Sequence, residues 1–428
     1  MAAGLGTRMR SATPKHLHPL LGRRMVDWVI RLGHSLGAEP LVVVASPETA
    51  EAFDGVAVAV QERPLGTGDA VRAARGAADG ATDVLVLSGD HPLLTVGLLQ
   101  DLLATHRGSR AAATVLSFVP GDARSYGRIV RDPDGKLARI VEAPDATDNE
   151  LGLTEVNSSI YVFRADRLWA MLDRLEPHNA QGELYLTDSL GLLVQAGDTV
   201  AVHVASDPTE VDGVNTRVDL AAAALVLRDR INEAHMLAGV TIVDPQSTWI
   251  DADVTIDPDA VIHPFTVIRG ASRIAAQAQI GPHAVLVDAE VGPGALVGPF
   301  CYLRPGTVLE AGAKAGTFVE IKNSRIGERT KVPHLSYLGD ADVGSDTNIA
   351  AGNITVNLDH ETRSKERTVI GSNVRTGVDN AFVAPVTIGD HAWIAAGSVI
   401  TDDVPPNALA IARAKQVVKK GRGGKRND

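Results

Sequence analysis

From Ile250 onward aliphatic residues recur every six positions, through Ile256, Ile262, Ile268, Ile274, Ile280 and Leu286, then Val291, Val297, Leu303, Leu309, Ala315 and Ile321. This period is too long for an α-helix and is not the alternation of an ordinary strand. The series resumes at Ile326, Val332, Leu338, Val343 and Ile349, and again at Ile370, Thr376, Phe382, Ile388, Ile394 and Ile400. Repetition this sustained marks a solenoid, in which each unit packs only on its neighbours. Six residues supply a short strand and a turn, so three units complete a triangular coil with its aliphatic residues stacked along the axis, a parallel β-helix. Five-residue steps at Leu286–Val291, Ile321–Ile326 and Leu338–Val343 predict small losses of register. The break from Thr355 to Thr368 predicts a loop leaving the prism, and loops on rigid scaffolds are where sites form.

The chain before the repeats has another character. Short β-branched runs at Leu41–Ala45, Val84–Leu87, Ala113–Val119, Ile160–Phe163 and Val200–Val204 alternate with helical stretches, which predicts a mostly parallel sheet covered by helices. Val218–Leu237, rich in Ala, Leu, Arg and Glu without Gly or Pro, predicts one long connecting helix. The expected organisation is an α/β domain over residues 1–217, a linker helix over 218–238 and a repeat domain over 239–428 with a basic tail from 415. A length of 428 residues agrees with more than one core. The net charge of -11 argues against a general nucleic-acid binder and leaves room for local phosphate pockets. A single cysteine, Cys301, and the lack of any long uninterrupted apolar stretch indicate neither secretion nor membrane spanning, and the expectation is a cytoplasmic protein.

Ala2-Ala3-Gly4-Leu5-Gly6-Thr7-Arg8-Met9, followed by Pro14-Lys15, is a glycine-rich turn with two cations close behind. Glycines let the backbone approach phosphates, its N–H groups bind their oxygens, and Arg8 and Lys15 can neutralise a triphosphate. Val84–Leu87 runs into Ser88-Gly89-Asp90, which puts a carboxylate at the C-terminal end of a buried strand, where sheets of this kind bind ligands; Asp90 is thus a candidate metal ligand.

The Gly-x-Gly-Thr-Arg with its downstream Pro-Lys resembles the signature of the sugar-phosphate nucleotidyltransferases. Further pieces fall in that family's order: Gln61 before Leu65-Gly66-Thr67-Gly68, then Tyr126-Gly127-Arg128, Val141-Glu142, Asn157-Ser158, Asn179 to Glu183 and Gly213-Val214-Asn215. By resemblance to uridylyltransferases acting on N-acetylglucosamine 1-phosphate, Ala2, Ala3, Gly4, Lys15, Ser88, Gly89 and Asp90 lie along UTP. Gln61, Gly66 and Thr67 contact uracil, Gly127, Glu142 and Asn157 the sugar, and Asn215 joins Asp90 in holding Mg²⁺. Because Met1 opens the chain inside the glycine motif with no apolar run ahead of it, the expectation is an exposed sheet edge and weak UTP binding.

In the repeats, polar groups interrupt the scaffold at Leu303-Arg304-Pro305-Gly306, Phe318 to Lys322, His334-Leu335-Ser336-Tyr337-Leu338-Gly339-Asp340 and Asn348 to Gly352. The period resembles the left-handed hexapeptide-repeat acyltransferases, a family that assembles as trimers with active sites between neighbouring prisms. Over nearly its whole length the chain resembles the bifunctional N-acetylglucosamine-1-phosphate uridylyltransferase/glucosamine-1-phosphate acetyltransferases. The resemblance implies acetylation of glucosamine 1-phosphate by acetyl-CoA, then uridylyl transfer from UTP to N-acetylglucosamine 1-phosphate, supplying a cell-wall precursor. An amine attacks a thioester only when unprotonated, and His334 is the candidate general base. Arg304 and Lys322 would hold the substrate phosphate, Tyr337 and Asn348 the glucosamine, and Ala351, Asn357, Leu358, Val378, Ala396 and Arg413 acetyl-CoA. Two positions depart from the family: Asn357-Leu358-Asp359-His360 replaces Asn-Tyr-Asp-Gly, and Gly377-Val378-Asp379 replaces Gly-Ser-Asp. Lys365 is a candidate for the basic residue of that loop. Two other readings stay open on sequence: a nucleotidyltransferase whose prism only assembles it, and a non-catalytic scaffold.

Overall fold

The structure is a computed structural model and describes residues 1–4, 6–123, 126–420 and 422. Of the basic tail, Gly421 and residues 423–428 lie outside the described residues. The chain divides into two compact units, Met1–Leu227 and Arg228–Asp428. The division falls inside the helix Arg217–Leu237.

In the first unit, strands β1 (Val42–Ala45) and β2 (Ala57–Val60) pair in parallel. A second sheet holds β3 (Asp83–Val86), β4 (Ala113–Phe118), the hairpin β5 (Arg128–Arg131) and β6 (Leu137–Val141), β7 (Val156–Arg164) and β8 (Val200–Val204). Strand β7 runs antiparallel to both β3 and β4, and β8 parallel to β4, so the sheet is mixed rather than mostly parallel. The reason lies between residues 128 and 164. Parallel neighbours need a crossover of a dozen or more residues, usually a helix, and this stretch offers a hairpin and one short turn of helix, Asp148–Leu151. Helices Met25–Ser35, Val96–Ser109, Ala165–Leu172 and Leu186–Gln195 bury Met25, Leu99, Leu102, Leu168, Leu190 and their neighbours against the strands.

Strands β1 and β3 do not pair with each other. Only Met1 and Ala2 stand between them: Ala2 N–H donates to Val44 O (2.7 Å), the Met1 amine to Leu87 O (2.7 Å) and Gly89 N–H to Met1 O (2.8 Å). Beyond Met1 the two strand edges flank a groove of about 320 Å³ lined by apolar side chains, among them Val29, Val42, Val84 and Leu103.

The second unit is the predicted parallel β-helix. One face is built from strands such as Val261–Ile262, Gln279–Ile280 and Lys314–Thr317. A second runs through Val267–Arg269, Tyr302–Leu303, Glu320–Lys322, Tyr337–Gly339 and Ile354–Val356. The third includes Arg273–Ile274, Arg325–Ile326 and Ala341–Val343. All pairings between coils are parallel, with Ile250, Ile268, Leu286, Leu303, Ile321 and Leu338 in one column. These residues are buried inside the prism, where each packs on the same position one coil above and below. The five-residue steps appear as coils of 17 rather than 18 residues, as in the pairing of Leu286 with Leu303 against that of Ile268 with Leu286. The loop leaves after Val356 and the prism resumes at Thr368. Thr355 is not part of it: its side chain takes the inward position and exchanges hydrogen bonds with the Gly339 backbone (2.8 and 3.0 Å). At the start of the prism, the second half of the long helix is anchored by Asn232, whose Nδ2 donates to Pro245 O and Thr248 O, and by Arg228, stacked on Trp249.

Candidate functional site

In the first unit the glycine turn after Ala2 leads to Thr7–Met9, and a side chain at Gly6 would run into Lys15, which lies against it. That packing aims Lys15 at the C-terminal end of β3. Its ammonium contacts Asp90 Oδ2 and donates to Asn215 Oδ1 (2.9 Å), and Arg8 Nη2 donates to the same amide oxygen (2.8 Å). Ser88 Oγ donates to Asp90 Oδ1 (2.6 Å). Burial pushes the Asp90 carboxyl up, but His91 and Lys15 outweigh it and hold Asp90 well below the usual carboxylate range. A carboxylate and an amide oxygen from distant parts of the sequence therefore converge on one cation. Both are hard oxygen donors, and an ammonium already occupies the space between them, so the set fits Mg²⁺, which is commonly held by one or two carboxylates together with phosphate oxygens and water.

A second group forms around Gln61, which follows β2. Its Nε2 donates to Gly66 O and Asp69 Oδ2, both at 3.0 Å. Gly66 has φ of 115° and backs directly on the Leu184 backbone, so only glycine fits there. Thr67 Oγ1 accepts from Leu186 N–H (2.9 Å). Segment 184–187 continues to a third group: Thr187 Oγ1 donates to Glu142 Oε1 (3.1 Å), and Glu142 faces Gly127, whose added Cβ would sit 3.1 Å from Oε2. Asn157 N–H donates to Gly127 O (2.8 Å), and its Nδ2 to the Tyr161 hydroxyl (2.7 Å). Burial pushes the Glu142 carboxyl up, opposed by the bond from Thr187. The residues expected along UTP, uracil and sugar thus fall into three groups, the second and third joined through segment 184–187. Sequence reasoning missed Thr187 and Tyr161, which fix Glu142 and Asn157; neither belongs to a motif.

In the prism the polar residues separate onto the two edges of the second face. On one edge, Arg304, Lys322 and Gly339 follow one another in successive coils, with the Tyr337 ring leaning over Gly339. Asp340 is buried and accepts from Asn323 Nδ2 and Asn357 Nδ2. Lys365, from the loop, lies beside Lys322 and pushes its ammonium below the usual lysine range, helped by desolvation and opposed by Asp340. Two ammonium groups side by side can together neutralise an anion. On the other edge, His334 is exposed and pairs in register with Thr317 one coil below. Ala351 follows one coil above, by the register of Lys331 with Asn348, then Val378, Ala396 and Arg413, whose Nη1 donates to Ala396 O (2.6 Å). Asn348 lies on the first face, towards His334. The structure does not bring His334 together with Arg304 and Lys322, nor Asn357 and Leu358 together with Ala351, Val378, Ala396 and Arg413. The polar residues of the prism thus form two separate groups.

Residues 1–185 match the MobA-like NTP transferase domain. A protein of Streptomyces coelicolor, the bifunctional protein GlmU, is 48% identical over 97% of this chain and 91% of its own length. GlmU of Mycobacterium tuberculosis is 48% identical over 97% of this chain and 90% of its own length.

The chain belongs to the GlmU family. It is a bifunctional transferase, a uridylyltransferase and acetyltransferase, and its first unit carries the nucleotidyltransferase domain. GlmU membership removes the reading of a non-catalytic scaffold. No helix among the described residues is long and apolar enough to cross a membrane.

Proposed function

We propose that the chain acetylates glucosamine 1-phosphate with acetyl-CoA and then transfers UMP from UTP to N-acetylglucosamine 1-phosphate, giving UDP-N-acetylglucosamine and pyrophosphate in the cytoplasm. The observation that carries this reading is that one chain holds two separate clusters of cations, Lys15 with Arg8 at Asp90 and Asn215 in the first unit and Lys322 with Lys365 near the buried Asp340 in the second.

In uridylyl transfer a sugar-phosphate oxygen attacks the α-phosphorus of UTP, and catalysis is alignment and charge neutralisation without a protein nucleophile. Mg²⁺, when bound, supplies neutralisation of the phosphate oxygens. Asp90 and Asn215 would hold it, and Lys15 and Arg8, which lie against those two side chains, would pair with the triphosphate oxygens. Gln61, Gly66 and Thr67 take the uracil edge, and Glu142 and Asn157 take sugar hydroxyls and the acetamido group.

In acetyl transfer His334 accepts the proton of the attacking amine. Arg304, Lys322 and Lys365 hold the sugar phosphate, Tyr337 and Asn348 orient the sugar, and acetyl-CoA runs along the corner of Ala351, Val378, Ala396 and Arg413. Because His334 and the phosphate-binding edge lie on opposite edges of one face, a complete site draws on neighbouring copies, as in a homotrimer. The His334 corner supports this: Phe265, His283, Phe300 and Phe318 stack there in successive coils at 4.7, 4.8 and 5.3 Å between ring centroids, exposed in the single chain.

The test is free thiol released from acetyl-CoA with glucosamine 1-phosphate, and separately pyrophosphate released from UTP with N-acetylglucosamine 1-phosphate and Mg²⁺. Both products are expected. Pyrophosphate without thiol would reduce the prism to an assembly device, with Leu358 and Val378 marking the lost activity.

A further inference from the structure

Asp90 is followed by a histidine whose ring lies between the two segments that carry the oxygen donors. His91 is 5% exposed, and its Nδ1 is 2.8 Å from Asp90 Oδ1. An ionised carboxylate only accepts, so the ring donates there. The segment bearing Asn215 passes over the other side of the ring: Val214 N–H donates to Asp90 O (2.9 Å), and a Cβ added at Gly213 would come within 3.1 Å of both Cε1 and Nε2. Nε2 itself has no hydrogen-bond partner among the described residues. Asp90 Oδ1 therefore receives two fixed donors, Ser88 Oγ and His91 Nδ1, while Oδ2 is turned toward Lys15 and Asn215. A residue needed only to fill this space could be aliphatic. The imidazole leaves Nε2 without a partner while its Nδ1 bonds Asp90, a bond that an aliphatic side chain of similar size would lack.

We propose that His91 is a positioning residue for uridylyl transfer: its Nδ1–H fixes the Asp90 carboxylate, and its ring spaces the 213–215 segment, so that Asp90 Oδ2 and Asn215 Oδ1 stay aimed at one divalent cation. The inference rests on the reading of Asp90 and Asn215 as the cation's donors. Partners one step behind a metal ligand commonly change metal affinity by about 10-fold to 100-fold.

Mn²⁺ as the probe is titrated into the full chain with UDP-N-acetylglucosamine, and bound metal is read by electron paramagnetic resonance against a protein-free blank. His91→Leu keeps the bulk and loses the donor, and His91→Asn keeps a donor. His91→Leu is expected to weaken Mn²⁺ binding about 10-fold or more and to raise the half-saturating Mg²⁺ for pyrophosphate release by the same factor, with kcat at saturating Mg²⁺ within about twofold. His91→Asn recovers part of the affinity, and Gly213→Ala, pressing on the ring from the other side, weakens it. The kcat retained at saturating Mg²⁺ reports that the first unit is intact in each variant. Wild-type affinity in both His91→Leu and Gly213→Ala overturns the inference and leaves the cation site standing. No Mn²⁺ bound by the unaltered chain overturns the cation reading and the inference with it.

Discussion

His16 is buried beside the Phe53 ring, 6.0 Å between centroids, and its Nε2 has no hydrogen-bond partner among the described residues. Burial pushes its pKa from 6.5 down to about 4. Between those values the unfolded chain holds a proton that the folded chain refuses, so stability falls as pH drops through this window, by up to about 3 kcal/mol. Thermal unfolding of the nucleotidyltransferase unit is therefore expected to shift downward between pH 6.5 and 4, with a shallower slope in His16→Leu; equal slopes would remove His16 as the cause. His334 makes the opposite kind of residue: exposed, with no ring partner among the described residues, and free to meet a substrate. His334→Ala is expected to lower thiol release about 100-fold or more, the usual worth of a general base. Pyrophosphate release should be unchanged, since every group assigned to it lies in the other unit. Asp90, Lys15 and Asn215 could be named from sequence because motifs carry them. His91, Thr187 and Tyr161 could not, because each acts through a partner brought near by folding, and no spacing announces it.

At the level of elements, the prism was legible because its core is periodic and every inward residue repeats the contact of the one before. Replacing one such residue leaves a void that neighbours fixed by their own coils cannot fill. Ile321→Ala is expected to cost about 2–5 kcal/mol, measured by chemical denaturation. The mixed sheet of the first unit was less legible, since the direction of β7 depends on a hairpin rather than on any pattern within the strand. The groove between β1 and β3 yields a sharper prediction. β1 and β3 flank it without pairing with each other, and the Met1 amine is buried at its end, pushed down to about 6 by that burial. An apolar extension of about four β-branched residues fused ahead of Met1 would run parallel to both strands, bond to each, and turn the buried amine into an amide. One neutral hydrogen bond is worth about 1 kcal/mol, so a rise of several degrees in the unfolding midpoint is expected, together with a lower KM for UTP as the glycine turn is held from both ends. No change in either measurement would mean that Met1 and Ala2 already fix the turn.

At the scale of the whole molecule, the proposed assembly joins the two groups of proposed acetyl-transfer residues to one exposed aromatic column. In a single chain Phe265, Phe300 and Phe318 are about half exposed, at 55, 48 and 57%, and Leu335 continues the column at 60% directly beside His334. Large apolar side chains stacked in the open are costly unless something covers them, and a contiguous patch of this kind marks an interaction surface. Because the column leads into the His334 corner, in the proposed assembly a copy covering the rings would also be placed to bring Arg304, Lys322 and Lys365 to His334. Assembly and acetyl transfer should then fail together, while uridylyl transfer, whose residues all lie in the first unit, should not depend on them. Phe300→Glu puts a charge in the middle of the column at an exposed position where the single chain can tolerate it. Sedimentation is expected to show a species smaller than the unaltered protein. Thiol release should fall about 10-fold or more with pyrophosphate release within about twofold, the pattern of a residue central to an interface. Unchanged sedimentation with full thiol release would mean that the two groups meet through another face of the prism.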